Sequence, residues 1–383
     1  MKHRLLKTII LLLTLLMLFS LMNRFHFITD YVLYTFYIIT IFYGFFLVVI
    51  KPRLYTYKAF LPYVVILCAN FVALIANPSF SALQYMIVKF GLLSISMGGI
   101  YYYRDYFIDQ FPKILKNGLL LTLALSVILE PSLLGVAEGY AGIFGTRNEL
   151  GLVAAMAFGL ILIEKSFSKR NILLLIFTII LVLLSTSRAA VVGVLVGFLI
   201  AGFSWRKILA LGIVALASLY IVSDLHIISG LDRLSAESAT AGRDQEFFYG
   251  LATFQQYPWF GWGLDKYAFI DESVVPLFLL EQHFVLNPHN SYLAMYIQYG
   301  AVLATLIFIM LLYFSGKVLF NTKIDKNIRF MLSFILVNAI VESYLFSISG
   351  LPGFLFWFYL GLGLTVLSDL KKEQHKAYNH NAK

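Results

Sequence analysis

Apolar runs of 15 to 25 residues recur along almost the whole 383-residue chain, and that recurrence constrains the fold more than any motif. Crossing about 30 Å of hydrocarbon as a helix takes roughly 20 apolar residues, whereas a membrane β-strand shows only a ten-residue alternation. The runs fall near 8–22, 31–50, 59–76, 84–103, 117–136, 147–163, 171–185, 189–203, 208–223, 291–315, 330–348 and 352–368. The expected fold is therefore an all-α integral membrane protein of about twelve transmembrane helices. A mean hydropathy of +0.84 with 13% charged residues excludes a soluble domain, whose surface would have to be largely apolar.

Charge placement tests the span count, because a missed or invented helix would invert every later loop. With the N-terminus in the cytoplasm, most of the 29 Lys and Arg fall in inside segments, among them Lys51, Arg53, Arg104, Lys116, Lys169, Arg206, Lys326, Arg329 and Lys372. The outside keeps Arg24, Arg147, Arg188, Arg233, Arg243 and Lys266, and Lys89 lies inside a span. Both termini are thus expected to be cytoplasmic, and the net charge of +9 reads as topology. No basic stripe or motif points to a nucleic acid. The basic start and apolar run at the N-terminus, with no small-residue cleavage site behind them, read as a retained signal anchor. Cys68, the one cysteine, excludes an intramolecular disulfide.

The resulting organisation is nine spans over 1–223, an extracytoplasmic loop over 224–290 carrying short helices, three spans over 291–368, and a cytoplasmic tail over 369–383. The loop is where chemistry is expected, since lipid-facing helices are inert. Gly242-Arg243-Asp244-Gln245-Glu246 opens a helical pattern through Phe247, Leu251 and Phe254 that Pro258 ends. Arg243 then stands at a helix N-terminus, where free N–H groups and the dipole add to its charge in holding an anion. Read alone, it would be a solvated loop arginine.

Arg188, at the junction of two spans with no acidic residue nearby in sequence, has two readings: an interfacial side chain reaching lipid phosphates, or the wall of a polar cavity. Arg147 has a local partner available in Glu149. His289, between Pro288 and a long span, is placed at the rim of the bundle, where an imidazole can take a proton from a hydroxyl at neutral pH. Arginines and a histidine on one face suit a diphosphate and a base. No Asp-x-Asp, metal-ligand spacing, Walker loop or Gly-x-Ser-x-Gly elbow is present, so neither a metal nor a cofactor is expected.

Four segments, in order, resemble the O-antigen ligase and polymerase superfamily of bacterial surface-polysaccharide enzymes. They are Ser185-Thr186-Ser187-Arg188-Ala189-Ala190, Gly242-Arg243, Tyr257-Pro258-Trp259-Phe260-Gly261-Trp262-Gly263, and His289-Asn290-Ser291-Tyr292-Leu293, the last closed by Gly300. Asn148 matches the family's asparagine near its span, whereas Arg147 stands where a less basic residue is expected.

The resemblance implies a metal-independent, inverting glycosyltransferase at the outer face of the bacterial cytoplasmic membrane. Its donor would be an undecaprenyl-diphosphate-linked glycan, and its acceptor a glycan or lipid-linked hydroxyl. Membrane lipid, a chain-length regulator and a flippase are the other candidate partners. Arg188 and Arg243, with Arg147 as a further candidate, would bind the diphosphate. His289 would activate the acceptor, Glu342 would orient an arginine from a later span, and Trp259 and Trp262 would meet sugar rings or pack the loop at the membrane interface. Polymerisation of repeat units is favoured over ligation of finished polymer to lipid A-core or another acceptor. A polysaccharide or lipid transporter is the reading from another class, and an acyltransferase built on His289 is a third.

Overall fold

The computed structural model describes residues 2–22, 26–131, 140–164, 168–204, 243–264, 269–282, 284–348 and 350–381. The expected span at 208–223, the first part of the outer loop with Arg233 and Gly242, and Arg24 and Lys266 lie outside the described residues. The described chain is helical: α1 (Lys2–Ser20), α2 (His26–Ile50), α3 (Leu61–Ala76), α4 (Phe80–Asp109), α5 (Phe111–Leu129), α6 (Arg147–Ile163), α7 (Lys169–Leu184), α8 (Arg188–Ile200), α9 (Arg243–Gln256), α10 (Leu277–Glu281), α11 (Ser291–Leu319), α12 (Lys326–Asn338) and α13 (Leu351–Asn381). Among the described residues, six helices are long and apolar enough to cross a membrane: those over Tyr31–Ile50, Lys58–Ala76, Phe80–Asp109, Phe111–Leu129, Ser291–Leu319 and Leu351–Gln374.

The other apolar helices are shorter than the expectation of twelve spans required. Helices α6, α7, α8 and α12 have 17, 16, 13 and 13 residues. At 1.5 Å per residue they are about 20–25 Å long, less than the hydrocarbon thickness. The expected span at 330–348 is a helix only as far as Asn338, and Glu342 lies beyond it in irregular chain.

Helix α13 is the central post, with 89% of its apolar window buried against 28% for α2 at the periphery. It packs on α4, α11 and α12, while α12 packs on α8 and α6. Small residues permit that second contact: a Cβ on Gly159 of α6 would stand 1.9 Å from the Phe330 ring, and one on Gly197 of α8 2.8 Å from it. Phe330 therefore sits between two bare backbones, stacked on Phe198 at 5.1 Å.

Two interruptions of helix shape the molecule. In α11, Gly300 adopts φ +69°, ψ 174°, and the break is filled by the turn through Gly261, itself at φ +78°. The Ala301 N–H donates to the Pro258 carbonyl and the Trp262 N–H to that of Ile297, both at 2.6 Å. Asn77 Nδ2 clamps the Gly261 carbonyl at 3.0 Å. The two glycines meet backbone to backbone, each leaving no room for a Cβ.

The second interruption is the stretch from 339 to 348, where the chain leaves the helix and the carbonyls from Leu345 to Ile348 need partners from elsewhere. Side chains of three helices take them in succession. Trp357 Nε1 of α13 donates to Leu345 O at 3.2 Å, and Tyr85 of α4 to Phe346 O. Lys89 of α4 donates to Ser347 O at 3.2 Å, and Tyr37 of α2 to Ile348 O at 3.0 Å. An unpaired carbonyl in an apolar interior costs several kcal/mol in lipid, so this capture is what permits irregular chain there. Lys89 is thereby accounted for: it is buried, with its ammonium 5.7 Å from the Trp357 ring centroid.

Gly300→Ala should release the Pro258–Gly263 turn and lower the unfolding temperature, because φ +69° with ψ 174° is a region essentially confined to glycine and costs another residue about 1–3 kcal/mol before the steric clash is added. Thermal unfolding in detergent checks this. Tyr85→Phe, which removes a hydroxyl without changing shape, should destabilise by about 1–3 kcal/mol through the orphaned Phe346 carbonyl, read in the same experiment.

Candidate active site

Helix α9 begins at Arg243 and carries Glu246 one turn later, on the same face. Helix α11 begins at Ser291 under an Asn290 N-cap whose Oδ1 accepts from the Tyr292 and Leu293 N–H groups at 2.9 Å. His289 sits just before that cap at φ +43°, a left-handed conformation unusual for a non-glycine residue, and its N–H donates to Asn287 Oδ1 at 2.9 Å. The imidazole is thus aimed by a strained backbone held between two asparagines.

Glu342 comes from the irregular chain after α12, and the start of α11 fixes it. The Ser291 hydroxyl donates to the Glu342 carbonyl at 2.5 Å and accepts the N–H groups of Tyr344 at 3.0 Å and Leu345 at 3.2 Å. The Ser291 N–H donates to Ala339 O at 2.9 Å, and the Asn290 N–H to Ser343 Oγ at 2.8 Å. Helix α6 adds a fourth segment, its N-terminus closed by a capping box in which Thr146 and Glu149 satisfy each other's backbone N–H groups.

These segments converge on the Glu342 carboxylate. Its Oε1 accepts from Arg243 at 3.1 Å and from Asn148 Nδ2 at 3.0 Å, while a second Arg243 nitrogen donates to Val341 O at 3.1 Å. His289 lies between two carboxylates, with Nδ1 3.6 Å from Glu342 Oε2 and Nε2 3.5 Å from Glu246 Oε2. Both His289 Nδ1 and Glu246 Oε2 are enclosed without a hydrogen-bond partner. Burial pushes the Glu246 carboxyl above the ordinary carboxylate range, against the pull of His289 and Arg243 and with the push of Glu342. Glu342 Oε1 and the Val341 carbonyl each accept one of the five guanidinium donors of Arg243, so the fork keeps donors for an anion.

Three of the residues singled out in the sequence, Arg243, His289 and Glu342, are brought together, although Glu342 arrives from irregular chain and not from a span. Arg188 is the exposed first residue of α8, at the same end of the bundle. Its corner packs on α6, where a Cβ on Gly151 would stand 2.5 Å from Ser187 and 2.6 Å from Ser185, one turn from Asn148. Arg147 is half-buried at the first position of α6, beside Asn148.

Trp259 and Trp262 are not part of the cluster, because their loop docks at Ile297–Gly300, about 10–15 Å along α11 from its start. Trp262 packs against Tyr257 at 5.0 Å, whereas Trp259 is 67% exposed. Glu246 was missed in the sequence, where its three-residue spacing from Arg243 was the available signal. Asn148 was matched to the family but not assigned to the site.

Among the described residues, no group of three or more His, Cys, Asp or Glu is arranged to hold a metal ion. The arrangement suits an anion at Arg243 and a proton acceptor at His289.

Six span-length helices among the described residues, and an arginine, a histidine and two carboxylates gathered at helix ends, define a multi-pass membrane protein with a polar site at one end of its bundle. Residues 172–309 match the family model described as O-antigen ligase. The match supports the O-antigen ligase superfamily and a ligase- or polymerase-type function in surface-polysaccharide biosynthesis. The matched segment contains Arg188, Arg243, Glu246 and His289. No curated protein and no solved structure matches the chain.

Proposed function

We propose that the protein transfers a glycan from an undecaprenyl-diphosphate-linked donor to an acceptor hydroxyl at the outer face of the cytoplasmic membrane, without a metal ion. The convergence of Arg243, Glu342 and His289 from three separate segments carries this reading. Arg243 and Arg188 hold the diphosphate, with Arg147 at the edge of the same end, and the guanidinium charges replace a divalent cation at the leaving group. His289 is the general base. The acceptor oxygen attacks the anomeric carbon, the bond from that carbon to the diphosphate oxygen breaks, and its electron pair leaves with undecaprenyl diphosphate. The hydroxyl proton passes to His289, and the configuration inverts.

Charge placement supports an outward-facing site. Lys51, Arg53, Arg104, Lys116, Lys169, Lys326 and Lys372 stand at helix ends opposite those bearing Arg147, Arg188 and His289, and a cytoplasmic location for the basic end follows the positive-inside rule. On this reading the short helices α6, α7, α8 and α12 complete the span count with irregular chain at the site, which is tolerated where it is buried in protein or lines a polar cavity. Polymerisation of repeat units is the favoured form of the reaction, ligation differing only in the acceptor.

Purified protein supplied with undecaprenyl-diphosphate-linked glycan, alone and with candidate acceptors, should build longer lipid-linked glycan. Arg188→Ala, Arg243→Ala and His289→Ala should each lower the rate by about 10²-fold or more, read by gel and mass spectrometry. Transfer only to a different acceptor would make the protein a ligase, and failure of a folded sample with every acceptor would contradict glycan transfer.

A further inference from the structure

The imidazole of His289 faces a carboxylate at each ring nitrogen, and the two carboxylates are unequally committed. Glu342 already takes two donors on Oε1, and its backbone is pinned by Ser291. Glu246 Oε2 takes none, although the side chain is only 14% exposed. His289 Nδ1 is enclosed and points to Glu342, which leaves Nε2, 3.5 Å from Glu246, as the nitrogen for an incoming hydroxyl. A neutral imidazole that turns its Nδ1–H to Glu342 presents a lone pair at Nε2, so two acceptor atoms face each other in a partly dry site. A proton placed there satisfies both.

We propose that Glu246 is a positioning residue for His289, facing Nε2 with its charge and receiving the N–H of the imidazolium formed in the transfer. The idea rests on the glycosyl-transfer reading and deepens it. As the acceptor oxygen bonds to the anomeric carbon and the diphosphate leaves with its electron pair, the O–H bond breaks and an Nε2–H bond forms. Glu246 stays ionised, and its charge stabilises the new cation, as buried ion pairs with good partners do. The helix register serves this role: Glu246 is one turn from Arg243, so the group that holds the leaving diphosphate and the group that settles the proton belong to one rigid element.

The test is Glu246→Gln and Glu246→Asp in the purified full chain, with steady-state transfer measured from acid to alkaline pH. The charged and titratable groups facing Glu246 are Arg243 on α9, His289 before α11 and Glu342 after α12. Glu246→Gln should lower kcat by roughly 10²-fold, with binding of the lipid-linked donor, measured separately, unchanged. The acid limb of its pH profile should move to lower pH, because losing the anion makes the imidazolium harder to form. Glu246→Asp should recover part of kcat, and it remains informative if the glutamine variant fails to fold.

Wild-type kcat and an unmoved pH profile in a folded Glu246→Gln protein, with His289→Ala inactive, would overturn the role of Glu246 and leave the transfer reading intact. Full activity in His289→Ala would overturn the base itself and this proposal with it. Weaker donor binding at unchanged kcat would make Glu246 a support for Arg243 and refute the proton role.

Discussion

A backbone that leaves its helix inside an apolar bundle needs partners for the carbonyls it frees, and the 345–348 segment finds them in side chains drawn from across the chain. Tyr37, Tyr85, Lys89 and Trp357 take the carbonyls of Ile348, Phe346, Ser347 and Leu345. On the other side, Ser291 and Asn290 hold Glu342, Ser343 and Tyr344 against the start of α11. Without that double anchorage Glu342 would be a free carboxylate on a loop, and Arg243 and His289 would lose the group that connects them. The cost of an unpaired carbonyl in a dry interior is what sets the position of the site.

The ion pair at the centre is better understood as orientation than as stability. Arg243 and Glu342 are both partly exposed, and such pairs contribute about 0–1 kcal/mol. What the pair does is aim the guanidinium fork, with Val341 O and Asn148 completing the geometry. The strain at His289 belongs to the same arrangement, since a left-handed residue between Asn287 and Asn290 directs its ring between Glu246 and Glu342.

Much of this was legible in the sequence, where local rules decide it. Helix α9 starts at Arg243 and stops before Pro258, and α11 starts after Asn290, because caps and periodicity are short-range signals. The glycines of the Tyr257–Gly263 turn and Gly300 were visible as a pattern, but their mutual docking was not, since it depends on two backbones meeting across some 40 residues. Hydropathy marked 330–348 as one span because it cannot distinguish a continuous apolar helix from an apolar segment that breaks, as Leu345–Ile348 does with side chains more than 200 residues away closing its hydrogen bonds. Glu246 escaped notice for a related reason: a carboxylate in the first turn of a helix is ordinary, and only the imidazole from another segment gives it a role.

The central claim is that one site, assembled from α6, α9, the start of α11 and the chain after α12, holds a diphosphate at Arg243 beside a base at His289. A structure of the protein bound to an undecaprenyl-diphosphate-linked glycan tests it most directly. The account predicts phosphate oxygens within hydrogen-bond distance of the Arg243 guanidinium, Arg188 turned toward the same group, and the anomeric carbon on the His289 side. A diphosphate bound at the basic end of the bundle, or a glycan threaded through the bundle away from His289, would contradict it.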